Sequence, residues 1–295
     1  MKALLFAALG ALGVLAGTAV TGAGQRQAAP ETAPSRIVSL VPATTEMLFD
    51  MGAGRRVVGV GSYDRFPPDV ERLPRLGGLL DPNIEQLIAL RPDLVIVYET
   101  QAELRRQLER ARIPMWTYST RTLPDVLSTL RSLADRIGLP NEGAAAAGRI
   151  EARLKAVQAR VAGRVRPRTL LVFGREAGAL RGINASGGYG FLHDLLEMAG
   201  GTDVLADVPR AAVAMSSEMV IARSPEVIIE LHYGEAWSPA RTEAERRVWF
   251  GLPSLPAVRR GRIHLLTGDE FVVPGPRVSI AAERLARALH SDAFR

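Results

Sequence analysis

At 295 residues the chain is long enough for one large domain or two medium ones, each with a core of its own. Its 47% apolar and 23% charged residues are an ordinary globular balance, and its net charge of +6 comes almost wholly from arginine, with Lys2 and Lys155 the two lysines. The arginines are scattered over predicted helix faces without interleaved aromatics, which argues against nucleic-acid binding, and the lack of cysteine excludes disulfides, thiolate metal sites and a lipid-anchored N-terminal cysteine.

Taken in chain order, Lys2 precedes an apolar run from Ala3 to Val20, followed by the small residues Thr21, Gly22 and Ala23. A positive start, a hydrophobic middle and a small-residue exit predict a cleaved signal peptide over residues 1–23, with cleavage after Ala23 or Ala19. A retained membrane anchor is the rival, since the run is nearly long enough to span a bilayer. The Gly- and Ala-rich composition and the tether-like residues 24–35 favour cleavage and a mature periplasmic protein. Arg36 to Val41 then reads as a strand, Thr44 to Phe49 as a helix with a hydroxyl cap, and Val57 to Val60 as a strand. Asn83 to Ala89 is a helix, Leu94 to Tyr98 a strand, Glu103 to Ala111 a helix and Met115 to Tyr118 a strand. This alternation predicts an α/β lobe over 36–122, with a parallel sheet covered on both faces.

Leu123 to Ile137 reads as a further helix, and residues 141–163 as a long one, the two forming a helical connection over 123–163. In the long helix Ala147, Ile150, Leu154, Val157 and Val161 recur at spacings of 3 and 4, the stripe of one helix face. Asn141 is the expected N-cap, Glu151 and Lys155 the expected i,i+4 pair, and Gly163 the stop. Such a helix reaches ~33 Å, enough to bridge two lobes, although an amphipathic helix inside one domain carries the same stripe. Beyond it, residues 164–295 repeat the α/β pattern. Thr169 to Phe173, Val204-Leu205, Val227 to Leu231 and Ile263 to Leu266 are extended. Gly190 to Met198, Ser217 to Ala222, a segment starting at Arg246 and Val278 to Leu289 are helical.

The two halves superimpose at one place without a gap. Glu85-Gln86-Leu87-Ile88-Ala89-Leu90-Arg91-Pro92-Asp93-Leu94-Val95-Ile96 matches Glu218-Met219-Val220-Ile221-Ala222-Arg223-Ser224-Pro225-Glu226-Val227-Ile228-Ile229, at an offset of 133 residues (218 − 85). Two copies around a long helix predict two similar Rossmann-like lobes with parallel sheets facing across a cleft. Open α/β sheets bind ligands off the carboxyl ends of their strands, so the lobes would share one site.

Three segments of the first half stand out: Arg36-Ile37-Val38-Ser39-Leu40-Val41-Pro42-Ala43-Thr44-Thr45-Glu46, then Val57-Val58-Gly59-Val60 with Tyr63 and Pro67-Pro68, and then Ile88 to Ile96. Together they resemble the helical-backbone class of periplasmic binding proteins, which feed ABC importers for cobalamin, haem and iron–siderophore complexes. Gly200-Gly201 and Pro274-Gly275-Pro276-Arg277 extend the likeness, which covers most of Arg36 to Leu289 and is greatest to the cobalamin-binding members. The resemblance implies a monomer of two lobes on one stiff helix, with no cofactor of its own. Its partners would be a small-molecule cargo, expected to be a corrinoid (cobalamin or cobinamide), and a permease with its ATPase. It also implies that an acid on each lobe docks to arginines of the permease, and those acids map onto Glu85 and Glu218. Each also stands in the first turn of a predicted helix, where a carboxylate favours the dipole by ~0.3–1 kcal/mol without any partner.

Cargo-contact candidates at strand ends are Pro42, Ala43, Tyr63, Asp64, Phe66, Leu80, Tyr98 and Glu99 on the first lobe. On the second they are Arg175, Tyr189, His232, Tyr233, Trp237 and Phe271. Flat aromatics suit a broad macrocycle. Leu80 and Val213 stand where the cobalamin-binding likeness would place tryptophan. The alternative is haem, with Tyr63, Tyr98, Tyr189 or His232 as axial ligand, or a ferric siderophore held by Arg175 or Arg277. His193, His232, His264 and His290 show no metal-ligand spacing. An enzyme reading would rest on Asp64, Glu99, Asp269 and Glu270 as acid/base groups. Ser186-Gly187-Gly188 lacks the glycine ahead of a nucleophile elbow and no phosphate loop is present, so the chain reads as a binder.

Overall fold

The computed structural model describes residues 33–234 and 237–295. The expected signal peptide and most of the tether lie outside the described residues. Among those described, no helix is long and apolar enough to cross a membrane.

The first lobe is a four-stranded, all-parallel sheet in the order β2-β1-β3-β4, with β1 at Ile37–Ser39, β2 at Val57–Val60, β3 at Leu94–Tyr98 and β4 at Met115–Tyr118. Its strands are short apolar runs, as strands buried on both faces must be. The helices that cover and follow it are α1 (Pro42–Asp50), α2 (Ile84–Ala89), α3 (Ala102–Arg110) and α4 (Leu123–Arg136). Pro42 is a first-turn residue of α1, which therefore starts ahead of the expected Thr44; Thr44 and Thr45 turn their hydroxyls back to the Val41 carbonyl instead of capping.

Helix α5 runs from Pro140 to Val161. Leu139 is its N-cap and Pro140 takes the first turn, where a missing N–H costs nothing, so Asn141 lies inside the helix. All five residues of the apolar stripe are buried, joined by Ala146 and Gly143. A Cβ on Gly143 would stand 2.2 Å from the Ala134 Cβ, so α4 and α5 pack closely because that residue has no side chain. The stripe belongs to one continuous core that also takes in Ile37 and Ile96 of the first sheet and Ile229 of the second. Burying each Ile, Leu or Val stabilises by about 1.5–3 kcal/mol, which makes α5 a shared beam. Glu151 pairs with Arg131 of α4 in place of Lys155.

The second sheet has the order β10-β9-β5-β6-β8, with the short β7 (Thr202–Asp203) beside the start of β5. Its strands are β5 (Arg168–Gly174), β6 (Ile183–Ser186), β8 (Ala212–Met215), β9 (Val227–His232) and β10 (Ile263–Thr267). The helices are α6 (Phe191–Met198), α7 (Ser217–Arg223), α8 (Pro239–Val248), α9 (Pro256–Arg259) and α10 (Val278–Leu289). This sheet is mixed, because β6 and β8 run antiparallel to their neighbours. The connection from β5 to β6 is the loop 175–182, with Gly178 and Gly182 at positive φ, shorter than the crossover of a dozen or more residues that a parallel neighbour needs, so the chain returns antiparallel. Helix α8 starts at Pro239, capped by Ser238, well ahead of the expected Arg246; it buries no residue, so no apolar stripe announces it.

The internal repeat is structural as well as sequential. Asn83 Oδ1 accepts from the Gln86 amide (3.0 Å), and Ser216 Oγ from the Met219 amide (3.3 Å), at the same offset. Both helices then stop on a left-handed residue, Arg91 (φ 48°) and Ser224 (φ 48°), ahead of Pro92 and Pro225. Asp93 and Glu226 each accept from the first backbone amide of the neighbouring strand segment, that of Arg36 (2.8 Å) and that of Arg168 (3.1 Å). The same two arginines close the turn by donating to the carbonyls of Leu90 (2.6 Å) and Arg223 (2.7 Å). Short βα units match by chance in sequence; three matched hydrogen-bonding roles and a matched left-handed stop point to one unit used twice.

Candidate functional site

A cleft of about 660 Å³ lies off the carboxyl ends of both sheets. From the first lobe it receives Leu40, Pro42 and Ala43 after β1, Gly61, Tyr63 and Arg65 after β2, Tyr98 and Glu99 after β3, and Tyr118 to Arg121 after β4. From the second it receives Tyr233 after β9 and Asp269 with Val272, Val273 and Pro274 after β10. Four tyrosines set its character. Tyr63 and Tyr233, on opposite lobes, are each 70% exposed and free to stack on an occupant. Tyr98 and Tyr118 form an edge-to-face pair at 5.8 Å deeper in the wall. Burial pushes the Tyr98 hydroxyl up to about 12 and raises that of Tyr118 as well, so both remain neutral donors. The Tyr118 hydroxyl donates to the Pro274 carbonyl (3.3 Å), tying one lobe to the other beneath the cleft.

Charged groups at the rim come in balancing signs. Arg121 lies 3.8 Å from Glu99, both exposed, and Asp269 accepts from the Gly234 amide (2.9 Å). With Arg65 and Arg121 offset by Glu99 and Asp269 over a mostly apolar lining, the cleft suits an occupant of low net charge better than a polyanion.

Of the contact candidates, Pro42, Ala43, Tyr63, Tyr98, Glu99 and Tyr233 line the cleft. Leu80 stands 93% exposed on its loop, and its neighbour Leu79 takes the lining place, held by a bond from Gln101 Nε2 to its carbonyl (3.0 Å). Asp64 lies under the floor at 1% exposure, with neither carboxyl oxygen hydrogen-bonded among the described residues. Burial pushes it up to about 7, and the Thr45 hydroxyl, the Arg75 charge and the Gly61 amide, near the carboxyl but outside hydrogen-bonding geometry, pull it only part of the way back. Phe66 faces a second crevice, over the Arg277 guanidinium at 4.4 Å. Tyr189 is half-exposed outside the cleft lining, and Phe271 is fully buried in the core under Arg284. His232 lies outside the cleft lining, 3.0 Å from Glu230 and tilted against the Trp237 ring at 3.8 Å, and the Arg241 guanidinium sits over that ring at 4.1 Å.

The two cations considered for a siderophore are both engaged. Arg175 is buried between Glu230 (3.0 Å) and Glu245 (2.8 Å), and Arg277 is forked onto Glu46. Val213 packs on the second lobe's inner core rather than in the cleft. His193 pairs with Asp203 (3.1 Å), His290 contacts the Gly200 carbonyl (3.1 Å), and burial lowers His264. Among the described residues no group of three or more His, Cys, Asp or Glu is placed to hold a metal ion. Sequence reading missed Leu40, Gly61, Arg65 and the Tyr118–Arg121 and Val272–Pro274 stretches. Leu40 and Tyr118 lie at the ends of predicted strands, and Gly61, Arg65 and Ser119–Arg121 follow predicted strands, so the strand-end rule applied to every strand finds them.

Glu85 and Glu218 are both exposed, at equivalent first-turn positions of α2 and α7. The Ser216 hydroxyl bond holds Glu218 below the usual carboxylate range. Exposed aliphatic side chains accompany each acid, Ile88 on α2 and Met219 with Ile221 on α7.

Comparison with known proteins agrees with this architecture. A vitamin B12-binding protein of Salmonella typhimurium is 30% identical over 259 residues, covering 87% of this chain and 91% of that one. The crystal structure of the periplasmic vitamin B12 binding protein BtuF of Vibrio cholerae superimposes with a TM-score of 0.74 at 24% identity, covering 90% of this chain and 99% of that one. A periplasmic heme binding protein from Pseudomonas aeruginosa gives a TM-score of 0.74 at 25% identity, covering 88% and 93%. The sequence pattern of one family, described as periplasmic binding protein, matches residues 37–268, and the chain belongs to that family.

Proposed function

We propose that this chain is a periplasmic cargo receptor that captures a corrinoid between its lobes and hands it to the permease and ATPase of an ABC importer. The observation that carries the reading is the 30% identity, over 87% of the chain, to a vitamin B12-binding protein. The cleft is consistent with it: tyrosines from both lobes offer faces to a flat macrocycle, and charge-balanced polar groups meet its amide rim. Recognition is then reversible stacking and hydrogen bonding by a monomer, without turnover. The working boundaries are a leader at 1–23, a tether at 24–35, lobes at 36–122 and 164–295, and a helical connection at 123–163.

Haem is the second reading, favoured by the exposed hydroxyls of Tyr63 and Tyr233 and by the heme-binding structural relative. Parallel calorimetric titration with cyanocobalamin, cobinamide, hemin and a ferric siderophore separates the two. Saturable heat with both corrinoids and none with hemin is expected. Hemin binding with a tyrosinate–iron absorption band, and no corrinoid heat, would replace corrinoid by haem.

Glu85 and Glu218 are assigned to permease docking, where exposed carboxylates on both lobes fix register and speed encounter with a cationic rim. Glu85→Ala combined with Glu218→Ala is expected to leave corrinoid affinity unchanged and to reduce importer-dependent uptake about tenfold or more. Wild-type uptake by the double variant would leave these acids as helix-dipole partners only.

A further inference from the structure

The turn Pro274–Arg277, which leads from the second lobe into α10, lies directly on α1 of the first lobe. A Cβ on Gly275 would stand 3.3 Å from Glu46 Oε2 and 3.4 Å from the Ala43 Cα and carbonyl oxygen, so the backbone fits closely at a residue with no side chain. One residue past Pro276, Arg277 closes a fork on Glu46: Nε donates to Oε2 (3.0 Å) and Nη2 to Oε1 (2.5 Å), across 231 residues of sequence. The side chains are 17% and 3% exposed. Glu270 approaches the third guanidinium nitrogen at 3.7 Å, and the Phe66 ring of the first lobe covers its face. A planar fork fixes orientation as well as distance, which a lysine in that place would not do.

The pair stands where two cavities back onto each other. On one side is the cargo cleft, whose floor includes Ala43 and Pro274. On the other is a crevice of about 480 Å³ lined by Glu46, Phe66 and Arg277. We infer that Glu46 and Arg277 are positioning residues for cargo binding: their buried fork pins the second lobe's part of the cleft floor to α1 and so sets the spacing between the tyrosine walls. The inference rests on the interlobe cleft being the cargo site and is indifferent to which cargo fills it. Burial raises the Glu46 carboxyl above its usual value, with the hydrogen bonds and charge of Arg277 pulling it part of the way back, while Glu46 in turn holds Arg277 above its ordinary value.

The test measures lobe spacing directly, in the mature chain and without cargo. The sequence has no cysteine, so nitroxide labels at Arg106→Cys on α3 and Arg247→Cys on α8, both well exposed, report one interlobe distance by pulsed electron resonance. Glu46→Gln and Arg277→Gln are each expected to broaden or lengthen that distance distribution and to weaken binding of the cargo found by titration about tenfold or more, chiefly through faster release. Arg277→Lys, which keeps the charge and loses the fork, should fall between these and the wild type. Where a single variant strands a buried charge and fails to fold, the double variant Glu46→Gln with Arg277→Gln takes its place, and it too is expected to broaden the distribution. Folded variants whose distance distribution matches the wild type would overturn the inference, whatever their melting temperature. Because the distance is read without cargo, failure of the corrinoid assignment leaves this result standing.

Discussion

Replacing Glu230 by alanine is expected to cost about 3–5 kcal/mol of folding stability, the cost of breaking a buried ion pair from one side. Glu230 is 1% exposed inside β9, paired with strands on both sides, and meets three partners there. Its Oε2 accepts from the Trp249 indole (2.8 Å), while Oε1 lies 3.0 Å from both the Arg175 guanidinium and the His232 ring. Burial opposes its charge, yet His232, Trp249 and Arg175 together hold it below the usual carboxylate range. Without it, Arg175, itself 2% exposed, keeps one carboxylate, Glu245, beside the carbonyls of Glu176, Ala179 and Glu245, and a buried indole N–H loses its acceptor. Urea unfolding checks this through the midpoint at an unchanged slope. A loss below about 1 kcal/mol would mean that the cluster is far more hydrated than its burial implies.

Asp64 should show the opposite sign. Its carboxyl is raised to about 7 in the folded chain by burial, against an ordinary value near 3.8 in the unfolded chain. Below about pH 4 both states hold the proton and the group contributes nothing. As pH rises from about 4 to about 7 the unfolded chain releases the proton first, so wild-type stability falls, and above about 7 the full cost of about 2–4 kcal/mol remains. Asp64→Asn keeps the shape of the neutral acid and removes the titration. It is expected to raise the melting temperature by roughly 5–10 °C at pH 8 and by little at pH 4. An equal gain at both pH values would mean that Asp64 is ionised in the fold throughout.

The sequence reading succeeded where local pattern and burial agree. The stripe from Ala147 to Val161 is the buried face of α5, and the match between Glu85–Ile96 and Glu218–Ile229 becomes the same caps, the same left-handed stops and the same strand-end bonds. Strand ends located Pro42, Ala43, Tyr63, Tyr98 and Tyr233 in the cleft, because strand direction alone fixes where such residues point. It failed where a side chain's partner is remote. Nothing near Arg277 announces Glu46, and nothing near Arg175 announces Glu230, so both arginines read as free cations for a cargo. Phe271 reads as a loop aromatic until α10 buries it. The antiparallel β6 and β8 are short and rich in small residues, and α8 is polar all round; neither has the period that would reveal it.

The central claim is that cargo sits between the lobes and touches both. Hydroxyl-radical footprinting of the chain, with and without saturating cyanocobalamin, tests it most directly. Tyr63 and Tyr233 are exposed tyrosines that line the cleft from opposite lobes, whereas the half-exposed Tyr189 lies outside it. Loss of reactivity at Tyr63 and Tyr233 together, with Tyr189 unchanged, is the expected result. Protection confined to one lobe, or centred on Tyr189, would contradict the account.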